Sequence, residues 1–232
     1  MNRWMHMMAL VLALGLMAVP ALAEGSGEPE YITTDRLELE DFSLFFPGWA
    51  VVELHQKAHG EALFYAYAPG WECIYDAQGK PYDSFNYLEC YWGDVSPTWE
   101  LTDEWVRDYM ESDMAFVLDQ NAPEVVDVTP VDACVEELGG KPAAIYSYVI
   151  RYDYAPLGID QRRDGAVIGA IVFDDAFGVY QFYVIADDSE SVNFLTDALE
   201  SISWTGQAPD IAPLDRFLIF GDASGLFPER GN

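Results

Sequence analysis

Three groups of side chains could do chemistry in this chain: three cysteines, three histidines and a large excess of carboxylates. Cys73 and Cys90 flank the stretch WECIYDAQGKPYDSFNYLECYW almost symmetrically, each beside aromatic residues. One long hairpin centred between Pro81 and Tyr82 would set Cys73 opposite Cys90 and Trp71 opposite Trp92. Cα atoms at a non-hydrogen-bonded cross-strand pair lie about 4.5 Å apart, near the short end of the disulfide range. Such a bridge would add roughly 3 kcal/mol by constraining the unfolded chain. A tighter hairpin at YDAQGKPY, with Gly79 left-handed, would instead place Cys73 near Tyr82 and Cys90 on a third strand. A Cys73–Cys90 disulfide is the expectation, since an exported chain meets an oxidising compartment. Cys134, in VDACVEEL, is left over and reads as a small buried apolar residue.

The histidines offer one metal-like cluster, ELHQKAHGE, with Glu53, His55, His59 and Glu61. Histidines at i and i+4 on a helix can share a zinc ion. The zinc-protease motif, however, needs a glutamate directly after the first histidine, and Gln56 stands there. Gly60 and the strand patterns on either side argue against a helix, so a solvated loop without metal is expected. No cofactor is implied. Adjacent acids occur at Asp174-Asp175, Asp187-Asp188 and Glu136-Glu137, with Asp160 and Asp164 bracketing DQRRD. A glycosidase needs two carboxylates about 5–9 Å apart across a cleft, which neighbours in sequence do not supply. GDASG at 221–225 resembles serine-protease wording, but no histidine is placed to activate Ser224. There is no G-x-S-x-G, P-loop, G-x-G-x-x-G or C-x-x-C. No catalytic residue is assigned. Trp71, Trp92, Trp99 and the many tyrosines could line a sugar- or peptide-binding face, although core packing accounts for most of them first.

The elements that would position these groups begin after a leader. Arg3, the apolar run from Met7 to Val19 and the small residues ending at Ala23 describe a cleavable signal peptide over 1–23. The run is shorter than the roughly 20 residues of a bilayer span. The mature chain is expected to be secreted or periplasmic and not membrane-spanning. Of the full chain's 232 residues, 51% are hydrophobic, which rules out a disordered acidic tail. Forty acidic residues face eleven basic ones, a net charge of −29 that repels nucleic acid and anionic lipid. A cationic partner, divalent metal or basic peptide stays compatible with that charge.

Residues 24–36 read as a mobile N-terminus, and LELEDFSLFFPGWAVVEL as two strand pieces around a Pro-Gly turn. Thr102 caps a helix that carries Trp105, Tyr109, Met110, Met114 and Val117 at helical spacing and stops near Pro123. Four strands follow: EVVDVTPVDACVEEL, PAAIYSYVIRYDY, GAVIGAIVFDD and GVYQFYVIAD. The third is apolar on both alternations, as in a strand covered on both faces. A second helix follows in DDSESVNFLTDALESISW. The expected fold class is α+β: a single domain over 37–204, built as an α/β/α sandwich whose mainly antiparallel sheet is covered by two helices. Residues 205–232 form an extended C-terminal appendage in which RFLIF could dock as an edge strand.

Three stretches resemble PsbP-like proteins: FSLFFPGWAVVE as the opening strand and turn, VTPVDACVEELGGKPAAIYSYVIRYDY as the Gly-bearing hairpin, and GVYQFYVIADDSESVNFLTDALESISW as the last strand and helix. The resemblance covers roughly residues 37–204 and implies an α/β/α sandwich and a non-catalytic binding or assembly role. Residues 69–97 stand as an insertion against the compact family pattern, and no functional residue transfers, because the likeness lies in turn and core positions. The expectation is an exported, non-enzymatic binding or scaffolding module for another protein or cell-envelope component. The alternative is a secreted hydrolase using carboxylates or Cys134, acting for example on glycans.

Overall fold

The computed structural model describes residues 29–55, 61–93, 101–119, 122–174 and 178–205. The expected signal peptide, nearly all of the expected appendage with its GDASG and RFLIF stretches, and His59 lie outside them. Among the described residues there are nine strands: β1 (Glu30–Glu38), β2 (Phe42–Leu54), β3 (Ala62–Tyr75), β4 (Pro81–Gly93), β5 (Val125–Leu138), β6 (Lys141–Asp153), β7 (Arg162–Asp174), β8 (Gly178–Ala186) and β9 (Ser203–Trp204). Helix α1 (Asp103–Asp119) follows β4, and α2 (Ser189–Glu200) follows β8. All pairings are antiparallel, in the order β1-β2-β3-β4-β8-β7-β6-β5, with β9 beside β2. β1 begins at Glu30, so most of the stretch expected to be a mobile N-terminus is paired strand; Ile32 is drawn in by packing against the core, opposite Val52.

The expected α/β/α sandwich is not what forms. Of the described residues 62% are strand and 20% helix, so one sheet carries the fold and the helices are patches on it. α1 packs on β5 and β6 at one end of one face, and α2 on β2, β3, β4 and β8 of the other. Beside α1 that face is filled by the sheet's own large side chains, while its β1–β3 end stays open.

Each face has its own core, because a strand presents alternate residues to opposite sides. On the α2 face Phe42, Leu44, Phe64, Leu88, Phe182 and Val184 meet Leu195, Leu199 and Trp204. On the α1 face Tyr146, Tyr148, Tyr152, Tyr183 and Phe85 meet Val106, Met110 and Val117. β7 feeds both, with Ile168 and Val172 on one side and Val167 and Ile171 on the other. Trp204 shows how far the sheet curls. Its ring lies 5.3 Å from that of Phe42 on β2, and its Nε1 donates to Leu138 O, 3.1 Å away at the end of β5. Those strands stand second and eighth in the sheet, so the sheet wraps around α2.

Local signals place the helices as the sequence suggests. Thr102 Oγ1 accepts from Trp105 N at 3.2 Å, and Asp188 Oδ1 accepts from Ser191 N at 2.8 Å; each satisfies an orphan helix-start amide.

The expected Cys73–Cys90 disulfide is overturned by strand register. Gly79 adopts φ +74° in a tight turn closed by Gly79 N to Asp76 O and Asp76 N to Lys80 O. This is the shorter hairpin, and it pairs Cys73 with Ser84 while Cys90 pairs with Phe64. Ser84 and Cys90 stand six positions apart along the strand, roughly 20 Å, far beyond disulfide reach. None of Cys73, Cys90 and Cys134 is in a disulfide.

Two outcomes test this architecture. Titration of non-reduced protein with a thiol reagent in denaturant should count three free thiols, with Cys90 silent until unfolding. Gly169 sits opposite Tyr146, and a Cβ there would lie 2.3 Å from Tyr146 Cζ. Gly169→Ala should therefore cost about 1–3 kcal/mol in urea unfolding, as overpacked cores do.

Candidate functional site

The strongest departures from ordinary acid–base behaviour lie in the tyrosine-rich layer on the α1 face. On β4 the odd positions point into this layer, so Asp83 and Glu89 share a side with Phe85, Tyr87 and Tyr91. Asp113 enters from α1, on the buried line Val106, Met110, Asp113, Val117. Phenols supply the hydrogen bonds. Tyr154 OH donates to Asp83 Oδ2 at 2.5 Å, Tyr91 OH to Glu89 Oε2 at 3.1 Å, and Tyr146 and Tyr148 OH to Asp113 Oδ2 at 3.1 and 3.0 Å. Desolvation disfavours the charged form. Burial pushes Asp83 up to about 7, Glu89 up to about 8 and Asp113 up to about 6, each against the pull of its hydrogen bonds. Glu124 stands near Asp83, takes a bond from Tyr82 OH at 3.0 Å and leaves Oε2 without a partner.

The expected metal-like residues are only partly brought together. Glu53 closes β2 on the tyrosine side, and His55 Nε2 lies 3.1 Å from its Oε1, in ion-pair range but out of line for a hydrogen bond. Tyr67 OH donates to Glu53 Oε2 at 2.8 Å. Burial pushes Glu53 up, but His55, Tyr67 and Tyr31 outweigh it and hold the carboxyl below its usual range. Glu61 is exposed across the β2–β3 connection. Among the described residues no three ligating side chains converge.

A pocket of about 720 Å³ opens where the β6–β7 connection meets the start of α2, lined among others by Arg151, Arg162, Arg163, Asp164, Asp187 and Asp188. The sequence marks Asp164, Asp187 and Asp188 only as members of abundant acid pairs; the fold gathers them beside three arginines. Arg151 Nε lies 3.3 Å from Asp164 and Arg162 Nε 2.9 Å from Asp153. Arg163 is the structural member of the set: it holds Glu72 at 2.7 Å, bonds Asp187 and stacks over Phe85. Glu72 and Asp187 hold its guanidinium well above the usual range. Asn86, at φ +69°, links the same corner by donating to Gly70 O and to Asp187.

The other expected residues stay apart from this corner. Cys134 on β5 is pushed up to about 11 by burial and by Asp132, Glu136 and Asp103, so it is a thiol at neutral pH. Cys73 is raised as well, chiefly by burial. The buried acids escaped the sequence reading, although the odd-numbered run Asp83, Phe85, Tyr87, Glu89, Tyr91 carried the signal. No described helix is long and apolar enough to cross a membrane. No family model matches the chain, and no curated protein matches it.

Asp83, Glu89 and Asp113 bind protons more tightly folded than unfolded. The stability they contribute is whole below pH 4 and is lost as pH rises through about 6, 7 and 8. Glu53 and Glu72, both lowered, work the opposite way and lose theirs below about pH 4. Denaturant unfolding should therefore show greater stability near pH 5 than near pH 9, by several kcal/mol at the order-of-magnitude level. Glu89→Gln should flatten that slope.

Proposed function

We propose that this protein is an exported, non-enzymatic binding module whose working contacts lie on its surface. One observation carries the reading: the acids with raised affinity for protons, Asp83, Glu89 and Asp113, are buried beneath phenols, while the pocket presents arginine–carboxylate pairs and neither cysteine nor histidine. Nucleophilic or general acid–base catalysis needs an activated group within hydrogen-bond reach of a substrate. Asp83, Glu89 and Asp113 are within reach of tyrosines instead. Paired charges of both signs around a recess suit recognition of a ligand with complementary charges, since each arginine can exchange a carboxylate of the protein for one of a partner.

The likeness to PsbP-like proteins, whose members are generally binding or assembly modules, points the same way. So does the signal-like leader, which would deliver the chain to the envelope or beyond.

The test is capture from envelope and secreted fractions with the mature chain as bait, beside an activity screen on glycans, peptides and esters. A reproducible partner whose retention falls at least several-fold with Arg151→Ala plus Arg162→Ala is expected. Turnover that is abolished by Asp83→Asn or Cys134→Ala would replace the binding reading with the hydrolase alternative.

A further inference from the structure

The face that carries α1 is open at its other end. On β1, β2 and β3 the residues pointing to that side include Tyr31, Phe45, Trp49, Val51 and Tyr67, with Trp71 from the β3 bulge at 5.3 Å from Tyr67. Cross-strand pairing sets Val51 between Thr33 and Tyr67, and Glu53 between Tyr31 and Tyr65. Trp49 is 67% exposed, Tyr31 56% and Trp71 45%. Two exposed tryptophans on one sheet face are costly to leave in water unless they meet something.

The chain shows what chemistry this face holds. Arg36 lies on it with its guanidinium 4.7 Å from the centre of the Phe45 ring and its Nε 2.7 Å from Glu38. Arg163 repeats the arrangement elsewhere, over Phe85 and against Glu72. A ring face is electron-rich and attracts a cation, with tryptophan the strongest; a guanidinium can stack and still donate to a carboxylate. Trp49 and Trp71 offer better rings than Phe45. Acids lie along the same stretch: Glu38 shares this side with Arg36, Asp35 is exposed in the β1 bulge, and Glu53, held in its charged form, stands between Tyr31 and Tyr65. Asp35 sits in the β1 bulge, between the residues that face Phe45 and Ala50, alongside the stretch that carries Trp49. The net charge of −29 adds long-range attraction for a basic partner and repels an acidic one.

We infer that this aromatic face is a docking surface for an arginine-bearing basic segment of a partner protein, its guanidinium groups stacked on Trp49 and Trp71 and paired with the β1 carboxylates. The inference rests on the binding-module reading and names the partner chemistry at a second surface, which meets the corner of the arginine-lined pocket at Gly70 and Glu72, on either side of Trp71. Arginine is preferred to lysine because an ammonium gives up the flat stacking contact.

The test measures fluorescence anisotropy of a labelled (Arg-Gly)5 peptide with the mature chain at 0.15 and 0.4 M NaCl. Saturable binding is expected, with (Lys-Gly)5 several-fold weaker. Trp49→Gln plus Trp71→Gln should weaken (Arg-Gly)5 about tenfold or more at both salt concentrations, while Leu118→Ala, an exposed apolar site on α1, changes nothing. Circular dichroism checks that the variants fold, and the single Trp49→Gln variant serves if the double one does not. Diffuse attraction gives the opposite pattern: binding lost at 0.4 M salt and indifferent to the tryptophans overturns the inference. Displacement of the peptide by cellohexaose would also overturn it, by assigning the face to a neutral sugar. A captured partner unaffected by the tryptophan changes but lost with the pocket arginines leaves the binding module standing and removes this surface.

Discussion

A carboxylate on the inner side of a covered sheet has lost most of its water, and that loss must be offset by donors or avoided by taking up a proton. Asp83, Glu89 and Asp113 face this constraint in one layer, each beneath its own phenol donors. A hydrogen bond to a charged group contributes roughly 1.5–3 kcal/mol, and a buried group left unmade costs at least as much. The tyrosines are thus part of the core and also the donors that let the acids be there, joined at Asp83 by the Ser84 amide. Asp113 also ties α1 to the sheet, since its two phenol donors both come from β6.

The same constraint divides the molecule. The α2 face is packed with phenylalanine, leucine and valine around Trp204, and the sheet curls towards it. The α1 face carries the phenols and their acids, with a helix over β5 and β6 and open aromatic surface at β1 to β3. Gly169 belongs to this design, because Tyr146 reaches Asp113 by lying across a position with no side chain. Carboxylates that must stay charged are placed where arginines or solvent meet them, at the pocket and along β1.

Much of the architecture could be read from the residues. Alternation in PAAIYSYVIRYDY put Tyr146, Tyr148, Ile150 and Tyr152 on one side, where they are found, and the double apolarity of GAVIGAIVF matched the two-faced burial of β7. Thr102 marked the start of α1. The register around the cysteines could not be read so surely, because both hairpins satisfy the same alternation and differ only in where the turn closes. The layered sandwich failed for a related reason: helix stripes show that helices pack, and not how much of a sheet they cover.

Local chemistry along the chain determined the strands, the helix starts, the acidic surface and the scarcity of nucleophiles, because each depends on neighbours a few residues away. Tertiary structure alone decided that Cys73 and Cys90 stand apart, that Glu89 and Asp113 lie under phenols, and that Arg163 joins Glu72 to Asp187. Those outcomes depend on distances between segments as much as a hundred residues apart, which are set only when the sheet curls and its two cores close.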